Sequence, residues 1–172
     1  MKFVPHGERP AWRERALDAA TGADLPSLIE LLIETGEKQR LADVIRRVPD
    51  AALERVSHYA TEPAAEALES TSPELAARLW RAQGFRIVDA KKSKYYAVAL
   101  SNFARAKRCY ERAGLVAEWE ATVRRALTCH YRKIGFISGF KAVVAGRHSD
   151  VEPSFLDRAK ARWEGRYGRN TP

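Results

Sequence analysis

Cysteine and long apolar runs are scarce in this 172-residue chain, and each scarcity removes a class of protein. Two cysteines, Cys109 and Cys129, cannot build the disulfide framework of a secreted domain. The expectation is two thiols buried in helices of a cytoplasmic protein. No stretch approaches the roughly 18 apolar residues of a membrane span. The opening MKFVPHGERP has no apolar core of signal-peptide length. Valine and isoleucine never alternate over the length of a strand.

The patterns that carry chemistry are also missing. Cys129 and His130 are neighbours on a helix and point about 100° apart, so they do not form a nucleophile–base pair. His130 continues an apolar face and reads as a packed, hydrogen-bonded histidine. Cys109, Cys129, His130 and His148 lack the paired spacing of metal ligands. Glu118 and Glu120 sit two apart on a helix and face different ways. Gly135-Phe136-Ile137-Ser138-Gly139 has no GxxxxGK[ST] pattern and no strand before it, and a helix start at Ser138 accounts for it. No catalytic residue, cofactor or metal is expected.

What the chain has in quantity is helix. Alanine, leucine, arginine and glutamate are frequent, and all favour it. Pro10 opens a first helix carrying Trp12, Ala16, Ala19 and Ala20 and ending near Gly22. Asp24 caps a second, whose stripe is Leu25, Leu28, Ile29, Leu32 and Ile33, stopped by Gly36. A third carries Leu41, Val44, Ile45 and Val48 and ends at Pro49. Asp50 caps a short helix through Tyr59, and Thr61 begins another with Pro63 near its start. Ser72-Pro73-Glu74 opens a helix to about Asp89, in which Gly84 lets a neighbour approach closely. After the linker Lys91-Lys92-Ser93-Lys94, one face holds Tyr96, Ala99, Leu100, Phe103, Ala106, Tyr110 and Ala113, closed by Gly114. The next helix carries Leu115, Trp119, Val123, Ala126, Leu127, His130 and Ile134, closed by Gly135. Phe136 to Ala145 forms the last, ended by Gly146.

These elements predict an all-α antiparallel helical-hairpin stack, a tetratricopeptide-like α-solenoid. Its domain spans residues 1–146, with a basic half from about 91. A polar tail follows over 147–172, with one helix around Phe155 to Trp163. Trp80, Gly84, Ala99, Phe103 and Ala106 approximate the tetratricopeptide order, with about three extra residues in the turn. Trp119 follows Trp80 by 39 residues, longer than that repeat, and no proline closes it.

Charge is unevenly distributed. Residues 1–90 hold 12 Lys/Arg and 15 Asp/Glu, a net of −3; residues 91–172 hold 18 and 7, a net of +11. Lys94, Arg105, Arg108 and Arg112 align at helical spacing opposite the Phe103 face, and Arg125 and Arg132 share a stripe on the next helix. Lys91, Lys92, Lys107, Arg124 and Lys133 flank them, and Tyr95 and Tyr131 are candidate stacking groups. Such a stripe can track phosphates. Two partner classes follow: a protein bound by the helical stack, or nucleic acid bound by the basic stripe. No membrane contact is expected.

The segments LPSLIELLIETGE, AVALSNFARAKRCYERAG and EWEATVRRALTCHYRKIGF resemble the C-terminal helical region of bacterial SWIM zinc-finger proteins. The likeness covers about residues 10–145. It implies a helical interaction module, working beside nucleic acid. It implies no zinc finger here, because that finger needs three cysteines and a histidine and this chain has two cysteines.

Overall fold

The structure, a computed structural model, describes residues 24–147. The expected helix from Pro10 to about Gly22 and the expected tail helix around Phe155 to Trp163 lie outside them. The described residues form helices and turns without a strand, so the all-α expectation holds. The helices are α1 (Leu25–Glu34), α2 (Lys38–Arg47), α3 (Asp50–Leu53), α4 (His58–Leu68), α5 (Pro73–Asp89), α6 (Tyr96–Arg112), α7 (Val116–Cys129) and α8 (Ile134–Val144). A 3₁₀ turn, Ser93–Tyr95, leads into α6. Among the described residues, no helix is long and apolar enough to cross a membrane.

Most boundaries follow local chemistry. Pro73 fills the first turn of α5 as expected, although the Ser72 side chain makes no capping bond. Gly114 ends α6 with φ +71. The Leu115 N–H donates to the Tyr110 carbonyl at 2.9 Å and the Gly114 N–H to that of Glu111 at 3.1 Å, which satisfies two orphan carbonyls.

Three expected boundaries are corrected. The single helix from Asp50 to Tyr59 is broken: α3 stops at Leu53, and α4 starts at His58. Ser57 is extended there, and its hydroxyl accepts from the Tyr59 N–H at 3.4 Å, so it acts as an N-cap. Thr61 and Pro63 therefore lie inside α4. Pro63 stands on the exposed side of α4, and its missing N–H removes the intrahelical donor to the Tyr59 carbonyl. The helix expected to reach Ile134 ends at Cys129, and α8 begins at Ile134, not at Ser138 or Phe136. Phe136 is the reason. It is fully buried while Ile134 is 80% exposed, so the chain turns at residues 130–133 to bring the larger ring inside.

Pro49 ends α2 and leaves the Ile45 carbonyl without the N–H four residues on. Arg78 of α5 supplies the donor instead. Its Nη1 reaches the Ile45 carbonyl at 3.0 Å and its Nη2 the Val48 carbonyl at 2.7 Å. A helix end in the first half of the chain is thereby tied to the central helix.

The core is organised by α5 and α6, which share the most extensive interface. They run antiparallel: Trp80 meets Arg105, Gln83 meets Asn102, and Gly84 meets Phe103. A Cβ at position 84 would lie 2.8 Å from the Phe103 ring, so glycine is the residue that permits the crossing. Phe103 is edge-on to Phe85 and Phe140, each at 5.0 Å, and 5.9 Å from Phe136. These rings hold Phe103 in place on its far side.

Gly84→Ala should therefore destabilise the protein. Alanine's higher helix propensity is worth about 1 kcal/mol. Forcing the Phe103 ring out of a filled core costs about 1–3 kcal/mol. Thermal melting should show a small loss for Gly84→Ala and a larger one for Gly84→Val. Phe103→Leu should partly restore the valine variant.

Candidate functional site

The basic residues expected to form one stripe fall into two groups. Arg105 turns inward: its guanidinium lies 4.4 Å over the Trp80 ring and 3.2 Å from Glu66. Arg125 does the same. Its guanidinium donates to both Glu54 oxygens at 2.5 and 2.8 Å and stacks 3.8 Å over Phe85. Lys133 donates from Nζ to the Val88 carbonyl at the end of α5. Lys107 is half-buried and pairs with Glu111 at 3.4 Å. Arg105, Arg125 and Lys133 tie helices together, whereas the Lys107 pair lies within α6.

The second group is exposed, but not in one line. Arg108 and Arg112 stand on the last turns of α6. Lys94 precedes α6, so it lies about 27 Å from Arg112 at 1.5 Å per residue. Lys91, Lys92 and Lys94 occupy the α5–α6 connection, and Tyr131 and Arg132 the α7–α8 turn. These two connections meet at one end of the molecule. Lys133 bonds to Val88, the His130 Nε2 lies 3.4 Å from the Asp89 Oδ1, and Tyr96 packs on Phe136 at 5.7 Å. Tyr95 and Tyr131 join the lysines there, 36% and 61% exposed. Lys94 lies 4.9 Å over Tyr95, and Arg132 lies 5.3 Å over Tyr131. Neither Asp nor Glu occurs in the sequence from Ala90 to Tyr110 or from Ala121 to Arg147; among the described residues, Asp89 at the end of α5 is an acid that meets the α7–α8 turn, through His130.

Lys91 has a further property. Helices α1, α6 and α8 are each followed by a glycine at φ near +70, whereas α5 is followed by Lys91 at φ +56. A left-handed non-glycine residue costs about 1–2 kcal/mol. A cation at a helix C-terminus returns about 0.3–1 kcal/mol. Stability alone does not favour lysine here.

A separate charge cluster lines a cleft of about 220 Å³ bounded by Asp50, Arg81, Phe85, Ala121, Thr122 and Arg125. Burial raises the Asp50 carboxyl, but Arg81 and Arg78 outweigh it and hold it below the usual carboxylate range. Arg81 pairs with Asp50, and Arg78 Nε donates to it at 2.9 Å. Arg78, Arg81 and Arg125 face Asp50, Glu54 and Asp89, three charges of each sign. Such a balanced cluster fastens α3 and α7 to α5 and offers a charged ligand no net attraction.

The two cysteines divide. Cys109 is buried, and burial raises its thiol; Cys129 is exposed, against expectation. No group of three or more His, Cys, Asp or Glu side chains among the described residues is placed to hold a metal.

The fold and this end of it define an all-helical protein with a basic, tyrosine-bearing surface. Comparison with known protein families, with curated proteins and with solved structures finds no match to the chain.

His130 forms the floor beneath the α7–α8 turn. It is 6% exposed and packed 6.1 Å from both Phe85 and Phe136. Burial, with the Lys133 charge beside it, lowers its pKa below 6.5, against the opposing pull of Asp89. The unfolded chain then takes up the proton more readily than the folded one. Its contribution to stability is full above about pH 6.5 and is lost as pH falls. Melting at pH 7.5 and 5.5 should show a drop in the wild type that is smaller in His130→Phe; equal drops would exclude this role.

Proposed function

We propose that this chain is a non-catalytic helical interaction module that binds nucleic-acid backbones through the end formed by the α5–α6 connection and the α7–α8 turn. One observation carries the reading: among the described residues, Lys91, Lys92, Lys94 and Arg132 are all exposed on the two connections that meet at this end, with Asp89 adjoining. Asp89 is itself engaged, 3.9 Å from Arg125 and 3.4 Å from His130. Each phosphate neutralised there releases counterions, which supplies affinity without sequence preference. The left-handed lysine at 91 supports the same reading, since its charge sits where glycine would be cheaper to the fold.

The reading includes a tetratricopeptide-like stacking of helical hairpins. Its support is that Trp80, Gly84, Ala99, Phe103 and Ala106, which approximate that repeat order, are all buried on α5 and α6. It keeps the likeness to the helical region of SWIM zinc-finger proteins, without zinc chemistry. A second reading, a scaffold for a protein partner, draws on Ile134. This side chain is 80% exposed at the start of α8, directly after the basic α7–α8 turn, and offers a partner apolar area.

Fluorescence anisotropy with mixed-sequence DNA and RNA tests the proposal. With four phosphate contacts, affinity should fall about 50-fold for a single strand and about 150-fold for a duplex between about 50 and about 200 mM salt. Lys91→Glu with Lys92→Glu and Lys94→Glu should abolish binding and leave the fold intact. Lys91→Gly should weaken binding while leaving the melting temperature unchanged or raised. Arg105→Glu and Arg125→Glu should instead lower the melting temperature, because each loses an ion pair and an aromatic partner. A flat salt dependence would overturn the proposal. A nuclease-resistant protein partner that the lysine substitutions release would favour the scaffold.

A further inference from the structure

We infer that the nucleic acid bound at this end is single-stranded, and that Tyr131 is a stacking platform for an unpaired base. The inference rests on the nucleic-acid reading and adds the form of strand.

Five large apolar side chains are exposed among the described residues, and three of them, Tyr95, Tyr131 and Ile134, sit in or beside the two basic connections. Exposed aromatics scattered singly need no explanation. Two tyrosines at the same basic end, each with a cation over its ring, are a different case. One face of each ring meets the cation, and the rest of the exposed ring surface is available to a base. The cation beside it is available to the flanking phosphate. Stacking with adjacent charge is how sequence-tolerant single-strand sites are built.

Duplex recognition would need something else. A duplex keeps its base faces buried, so the tyrosines would add nothing to its binding. Entry to the major groove needs an exposed helix or ribbon. This end presents two short connections, the longer only from Ala90 to Tyr95. They are also held firmly. The Lys133 N–H donates to the His130 carbonyl at 2.8 Å, the Phe136 N–H to that of Lys133 at 2.9 Å, and Lys133 Nζ to Val88. Tyr131 is thus displayed on a turn with two packed flanks, His130 and Phe136.

The test compares the full chain on a 12-nucleotide single strand, the matching duplex and an abasic strand of the same length, at one salt concentration. The single strand should bind at least about tenfold more tightly than the duplex. Tyr131→Ala should lose about tenfold on the single strand and little on the duplex or abasic strand, with the salt slope unchanged. Tyr131→Phe should bind like the wild type, because the ring and not the hydroxyl does the stacking. Circular dichroism melting of each variant separates lost stacking from lost fold. Equal binding of single strand and duplex, or no effect of Tyr131→Ala, would overturn this inference and leave the nucleic-acid reading standing. No binding to any of the three at low salt would remove both.

Discussion

Phe103 occupies the space that a side chain at position 84 would fill, and the rest of the fold is arranged around that contact. The ring brings α6 against α5 closely enough for Asn102 to meet Gln83 and for Arg105 to cover Trp80. Its other side is closed by Phe85, Phe136 and Phe140, so α8 must fold back over α6 to supply two of the three rings. That return demands a turn after Cys129. The turn is what sets Tyr131 and Arg132 beside the lysines that follow α5. A packing constraint in the core therefore determines which charges share a surface.

Two charge systems come out of the same fold with opposite character. Around Asp50 the signs are matched, three arginines against three acids, and both Arg78 and Arg125 replace or reinforce contacts between helices. Half-buried pairs with several hydrogen bonds fix geometry more than they add stability. At the far ends of α5 and α7 the signs are unmatched. Three lysines and an arginine stand beside Asp89, an acid shared with the Asp50 cluster and already facing Arg125 and His130. A surface with unsatisfied charge of one sign is suited to a polyanion. A cluster with matched charge is suited to holding a fold.

Much of the architecture was legible in the sequence. Ser72-Pro73 and Gly114 marked the ends of the two central helices, and Gly84 marked their close approach. The positions of Phe103, Tyr110 and Trp119 in the core followed from helical spacing. What sequence spacing could not give was the competition between residues for the same space. Ile134 fits the stripe of Trp119 and His130 at the right interval, but Phe136 buries more area, and the helix ends to admit it. Ser57 is not legible as a cap, because a serine two residues before an exposed tyrosine looks like any other helix residue. The arginines show the same limit. Arg105 and Arg125 lie off the apolar face of their own helices, which is all that periodicity reports. Their partners, Trp80 with Glu66 and Phe85 with Glu54, come from other helices, and one lies 71 residues away. A stripe drawn along one helix mixes structural cations with exposed ones; only the fold sorts them.

The most direct test of the account is an NMR titration of the labelled chain with a short single-stranded oligonucleotide, following every backbone amide. The account requires the α5–α6 connection and the α7–α8 turn to respond together as one surface. Shifts should concentrate at Lys91–Tyr95 and Tyr131–Ile134, with Arg105 and Arg125 unmoved. Shifts running along α6 through Arg105, Arg108 and Arg112, or confined to one of the two connections, would contradict it.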